Sequence, residues 1–220
     1  MAPGHRSAAG GSLKSVPAHE LGAIAAREAM ARSGVSTEEI DEVIMGCVGQ
    51  VGADAYVARR VSLGAGMPVQ TSAFTVNRLC GSGSQAAWSG AQQLGWGPAQ
   101  TIVAGGTESM SRMPFLDFAA RDNARLGDRR LLDGTVAMLT NPFSGQHMGV
   151  TAQNVAQRYN MSREEQDRFA VQSQQRADST KARTAFAEEI TPVQIQERKP
   201  VTVTYDEHPV RKQLLKASPH

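Results

Sequence analysis

The stretch Val76-Asn77-Arg78-Leu79-Cys80-Gly81-Ser82-Gly83-Ser84-Gln85-Ala86-Ala87 decides the fold. An extended apolar run, Ala73-Phe74-Thr75-Val76, comes before it, and a helical stretch of small residues follows as far as Leu94. Strand, tight turn and helix are therefore expected in succession, with Cys80 at the junction. Backbone N–H groups at a helix start lack intrahelical partners and carry partial positive charge. A thiol placed there ionises more easily, and the thiolate is the nucleophilic form. Gly81 and Gly83 remove side-chain bulk beside the sulfur, so a substrate can approach the backbone. The same cysteine also fits a small buried hydrophobe, the commoner role of a free thiol.

Composition sets broad limits. A chain of 220 residues can hold one or two domains and bury a real core. Apolar residues at 40% and charged residues at 20% describe an ordinary soluble protein. A net charge of +2 and an aromatic content of 5% argue against nucleic acid and anionic membranes as partners. Two cysteines, Cys47 and Cys80, give no disulfide framework and suit a reducing compartment. No apolar run reaches the length of a membrane span, and the first twenty residues lack the apolar middle of a secretory signal. Cytoplasm is the expected location.

Working outward from Cys80, residues 1–11 read as a loose tail. Pro17 to Arg32 reads as a helix stopped by Gly34, and Ser36 to Glu39 has capping-box spacing. Glu42 to Val48 is a mostly apolar strand of the kind covered on both faces. Asp54 is expected to cap a helix through Val57, Val61 and Leu63. Thr101 to Ala104 is another buried strand. Helices alternating with apolar strands mean a parallel sheet with crossover helices. The helix after Cys80 is small on nearly every side, which predicts burial all round. Beyond Gly105-Gly106-Thr107-Glu108-Ser109-Met110 the character changes. Ser162 with Glu165 starts one longer helix running to about Phe186, and Thr191–Ile195 with Val201–Tyr205 reads as a hairpin.

Asn77-Arg78-Leu79-Cys80-Gly81-Ser82-Gly83 resembles the acylated-cysteine motif of the thiolases, and the likeness extends from about Gly10 to about Pro209. The resemblance implies an α/β, thiolase-like βαβ layered domain with an inserted, mainly helical loop domain. Its first and last strands and its second half would be missing. The implied partition is a tail at 1–11, a partial N-terminal α/β domain at 12–106, a loop domain at 107–209 and a tail at 210–220. In the family the first strand lies in the middle of the sheet, between the strands that match Glu42–Val48 and Thr101–Ala104; here the resemblance implies that it is absent, with Met1 to Ala9 in its place.

The chemistry implied is acyl transfer between acetyl-CoA or a 3-ketoacyl-CoA and CoA, as in fatty acid metabolism. Cys80 would be the nucleophile that carries the acyl thioester, with its own N–H as a donor to the oxyanion. Leu139, His147 and Met148 match positions that line the acyl-pantetheine site. CoA thioesters would be substrates, with no metal or other cofactor, and the full-length family forms homo-oligomers, dimers or tetramers. The Gly-His-Pro histidine and the second cysteine of the family belong to the missing half, so little or no turnover is expected of the isolated chain. The competing readings are a non-catalytic thiolase-like protein that binds acyl-CoA or lipid, and an interaction module.

Other candidates have plainer readings. Glu207-His208-Pro209 looks only superficially like the histidine box. His147 fits a pocket residue or a hydrogen-bonded loop histidine equally well. Cys47 reads as strand packing and His19 as structural. Gly105-Gly106 reads as a sharp chain reversal near Cys80. Arg59, Arg60, Arg129 and Arg130 read as solvated charges, with a role in holding CoA phosphates as the alternative.

Overall fold

A computed structural model of the chain describes residues 11–121, 126, 128–196 and 200–207. In chain order the helices are α1 (Ala18–Ser33), α2 (Val57–Gly64), α3 (Ser82–Trp96), α4 (Gly134–Met138), α5 (Met148–Arg158), α6 (Arg163–Ala177) and α7 (Thr180–Glu189). The strands are β1 (Glu42–Gly46), β2 (Ser72–Val76), β3 (Ile102–Gly106), β4 (Phe115–Leu116), β5 (Leu132–Asp133), β6 (Val193–Ile195) and β7 (Val201–Val203). Two compact units form, Met1–Met113 with Ile190–Tyr205 and Pro114–Glu189 with Asp206–His220.

The first unit is built on a parallel three-stranded sheet, in the order β2-β1-β3. Residues on a strand alternate between its faces, and β1 shows the consequence directly. Val43 and Met45, with Cys47 just beyond the strand, pack among Ala26 and Met30 of α1 and Val57 and Val61 of α2. Ile44 points the other way, toward α3, where Gly90 lies close to Ile44, Ile102 and Ala104. Because β1 is covered on both faces, its apolar residues run without alternation. The expected parallel sheet with crossover helices is the fold observed.

Local signals set several ends. Gly34 terminates α1 at φ +71°, a conformation that suits glycine. The Ser36–Glu39 capping box forms around a single turn of 3-10 helix. A second box, Ser162–Glu165, opens α6. The hairpin β6–β7 is antiparallel, with Val193 paired to Val203 and Ile195 to Val201. Its buried face packs on Leu13, Val16 and Leu21, so by contact the hairpin belongs to the first unit.

Three expectations are corrected, and a gap in the sheet is closed: with the family's first strand absent, β1 and β3 bond directly, from Glu42 opposite Ile102 to Gly46 opposite Gly106. Backbone donors and acceptors on strand edges need partners, and these two edges satisfy each other. Asp54 does not cap a helix. It sits inside the 3-10 segment Gly52–Tyr56, and its carboxylate faces His19 Nδ1 at 3.2 Å and Arg60 at 3.7 Å. The single long helix after Ser162 is two helices, because Ser179 Oγ accepts the Ala182 N–H and starts α7 afresh. Finally, α3 buries only Ser82, Ala86 and Gly90, while Trp88 is exposed and Trp96 is 86% exposed. The packing supplied by the sheet covers one side of that helix only. The expected tails at 1–11 and 210–220, apart from Gly11, lie outside the described residues, as does the segment Met1 to Ala9.

The middle strand carries the core on both faces, so truncating it should be costly. Ile44 is fully buried. Ile44→Ala is expected to lower the unfolding free energy by about 3 kcal/mol in urea titrations. A loss under about 1 kcal/mol would mean that α3 does not pack on this face.

Candidate functional site

Strand β2 ends at Val76, and α3 begins at Ser82. The five residues between them make a compact turn. Asn77 Oδ1 accepts the Leu79 N–H at 3.0 Å, an Asx turn that holds Leu79 at φ +49°. Such a left-handed residue costs about 1 kcal/mol or more when it carries a Cβ, and strain of this kind gathers at functional sites. Ser82 supplies the counterweight. Its buried hydroxyl accepts the Arg78 N–H at 2.8 Å and donates to the Leu79 carbonyl at 2.6 Å. The Ser82 and Gly81 N–H groups close the turn onto the Leu79 and Arg78 carbonyls. Cys80 rides on this turn, exposed and unoxidised, directly before the first turn of α3. Of the two readings of the thiol, the accessible one is observed.

The turn rests on backbone. A Cβ on Gly46 would come within 2.5 Å of the Gly83 nitrogen and the Ser82 carbonyl oxygen. One on Gly106 would lie 3.1 Å from Gly83 Cα. Glycine at these strand ends lets β1 and β3 touch the start of α3 directly. Gly106 therefore serves close approach at the end of paired strands, and the pair makes no chain reversal: both glycines are still in β3.

Cys47 behaves differently. It is buried, and burial, followed by the adjacent Glu108 carboxylate, pushes its thiol up from 9.0 to about 12. Its S–H donates to Glu108 Oε1 at 3.6 Å. Glu108 also accepts the Val48 N–H at 2.8 Å and the Gly49 N–H at 3.1 Å. In the sequence Glu108 stands only within the stretch where the character changes. Its signal was its position: an acid two residues past a parallel strand, where the neighbouring strand's loop presents free amides.

Arg59 donates to the Thr71 and Val69 carbonyls at 2.7 Å each, so it is engaged by backbone rather than simply solvated. Arg60 faces Asp54, and in the second unit Arg129 pairs with Asp117 at 3.1 Å. Within that second unit, Leu139, His147 and Met148 come together. The Met148 N–H donates to the Leu139 carbonyl at 2.9 Å, and Thr140 bridges His147 across the intervening loop. His147 Nδ1 accepts the Gly149 N–H at 3.1 Å and caps α5 from an exposed side chain. Glu207 is described, but His208 and Pro209 lie outside the described residues.

The family model described as "Thiolase, N-terminal domain" matches residues 4–217. An acetyl-CoA acetyltransferase of Cupriavidus necator is 43% identical over 201 residues, which cover 90% of this chain and 51% of that protein. The beta-ketothiolase BktB of the same organism is 45% identical, again covering 90% of this chain and 51% of its own length. Among solved structures, the crystal structure of the Bacillus anthracis acetyl-CoA acetyltransferase superposes with a TM-score of 0.90 at 37% identity, covering 94% of this chain and 53% of that one. The chain thus spans about half the length of the relatives it matches. With the Cys80 turn, the parallel sheet and this family match in agreement, the chain belongs to the thiolase family, through its N-terminal domain.

Proposed function

We propose that Cys80 is the acyl-accepting nucleophile of an acyl-CoA C-acyltransferase. The observation that carries this is an exposed thiol on a strained, tightly bonded turn at the start of α3, in a chain of the thiolase family. The Cys80 sulfur attacks the thioester carbonyl of acetyl-CoA. A new C–S bond forms, the bond to the CoA sulfur breaks, and the proton lost by Cys80 ends on the departing CoA thiol. The Cys80 N–H is the local donor for the transient oxyanion. Leu139, His147 and Met148 are the proposed contacts for the acyl-pantetheine arm. Completing the cycle by transfer to a second acyl-CoA or to CoA belongs to a protein of the relatives' full length. Cytoplasmic action on fatty acid intermediates and assembly into dimers or tetramers are part of the same proposal. So is the functional division into an α/β part at 12–106 and a loop domain at 107–209.

A second reading draws on α3. The exposed Trp88, Leu94 and Trp96 suit a non-catalytic acyl-CoA-binding or interaction protein, in which Cys80 would be idle.

Incubating the 220-residue chain with acetyl-CoA and mapping adducts by peptide mass spectrometry separates the two. An acetyl group on Cys80, abolished in Cys80→Ala, is expected. A chain left unmodified after prolonged exposure would contradict the acyl-transfer reading and favour the second. Iodoacetamide at neutral pH is expected to label Cys80 and spare Cys47, whose raised thiol stays protonated there. Labelling of both at equal rates in folded protein would contradict the burial of Cys47.

Cys47 also predicts an alkaline limit. The unfolded thiol ionises near 9.0, whereas the folded one holds its proton to about 12. Stability from this group is therefore complete below pH 9.0 and declines as pH rises toward about 12. Thermal midpoints should fall across that window more steeply than in Cys47→Ala; parallel curves for the two proteins would remove Cys47 as a cause.

A further inference from the structure

We infer that Glu108 is a positioning residue for Cys80, acting by clamping the Cys47–Gly49 segment against the turn that carries the nucleophile. This rests on the nucleophile reading above and adds a second residue to that site. Glu108 follows β3, and the Thr107 N–H extends the β3–β1 ladder by donating to the Gly46 carbonyl at 3.0 Å. The carboxylate then reaches over the end of β1. It takes the Val48 and Gly49 N–H groups at 2.8 and 3.1 Å and the Cys47 S–H at 3.6 Å. Charge-assisted bonds to backbone N–H groups are the stronger kind. The contact is close enough to dictate sequence: a Cβ on Gly49 would lie 2.8 Å from Glu108 Oε1 and 2.6 Å from Met113 Sδ.

Three links join the clamped segment to the Cys80 turn. The Cys47 N–H donates to the Val76 carbonyl at 3.1 Å, holding the last residue of β2. Asn77 Nδ2 reaches the Val48 carbonyl at 3.5 Å, a long bond, while the same side chain's Oδ1 fixes Leu79. Gly46, next to the segment, bears directly on Ser82 and Gly83. Freeing residues 47–49 therefore loosens both ends of the turn at once. Glu108 is bonded to the neighbouring loop and to a buried thiol, so its reach is through backbone and not toward substrate.

The test compares the full chain with Glu108→Gln, which keeps one acceptor oxygen, and Glu108→Ala, which keeps none. Amide hydrogen exchange is read at Val48, Gly49 and Leu79–Ser82, with the α1 amides as reference, alongside the rate of Cys80 alkylation by iodoacetamide. Expected are lost protection at both segments, α1 unchanged, and a Cys80 rate lowered roughly tenfold in Ala and less in Gln. Lost protection at Val48 and Gly49 with wild-type exchange and reactivity at the Cys80 turn would overturn the inference, leaving Glu108 a local structural residue. If the Glu108 variants admit iodoacetamide to Cys47, showing a collapsed core, Asn77→Ala provides the same readout from an exposed position. Wild-type Cys80 behaviour in that variant also overturns the inference. Acetyl transfer from acetyl-CoA is measured in parallel. A Glu108-dependent alkylation rate in a chain that never acquires an acetyl group would sink the acyl-transfer reading and leave the positioning role standing.

Discussion

The architecture depends on one close approach, in which the ends of two parallel strands meet the first turn of a helix through backbone alone. Gly46 and Gly106 sit opposite each other in the ladder, and Gly83 lies on the helix side. A side chain at Gly46 would force α3 away from the sheet, and one at Gly106 would press on Gly83 Cα at 3.1 Å. With the helix seated, the chain leaving β2 has only five residues in which to turn and enter it. That short span accounts for the left-handed Leu79, for the Asx turn that holds it and for the doubly bonded Ser82 hydroxyl. Cys80 sits exposed on that turn.

The two thiols show how strongly position governs a cysteine's surroundings. Both follow the C-terminal end of a strand in one sheet. Cys47 faces the α1–α2 layer, beside an acid that discourages a second negative charge, and it remains a protonated packing group. Cys80 lies one turn beyond β2, on the solvent side. Chemistry at the C-terminal ends of parallel strands is a general habit of α/β sheets, and here the same end holds the Glu108 carboxylate, the Asn77 turn and Cys80, the proposed nucleophile.

Much of this could be read from the residues. Apolar runs bounded by glycine and proline gave the strands, the Ser-x-x-Glu boxes opened their helices at the expected places, and the small residues after Cys80 marked a helix but not that only one side of it is covered. Strand order was not legible, since it depends on which edges meet in space. In the family the first strand would lie between β1 and β3; in its absence their direct pairing is what brings Gly46 and Gly106 together. Asp54 does not cap a helix, and Glu108 carries no local signal of its bonds, for a related reason. Their partners, His19 and the amides of Val48 and Gly49, lie 35 and about 60 residues away in sequence, beyond any local pattern. The break before α7 was local, and the Asp178-Ser179 pair was its unread signal.

Gly46→Ala, followed by amide resonances of the full chain in solution, tests the central claim most directly. The account predicts a folded protein in which the resonances of Leu79 to Ser84 shift and broaden, because the added methyl collides with Ser82 and Gly83, while those of α1 hold their places. A spectrum of the variant superimposable on the parent through that turn would contradict it: the strand end would then not be what seats the helix and presents Cys80.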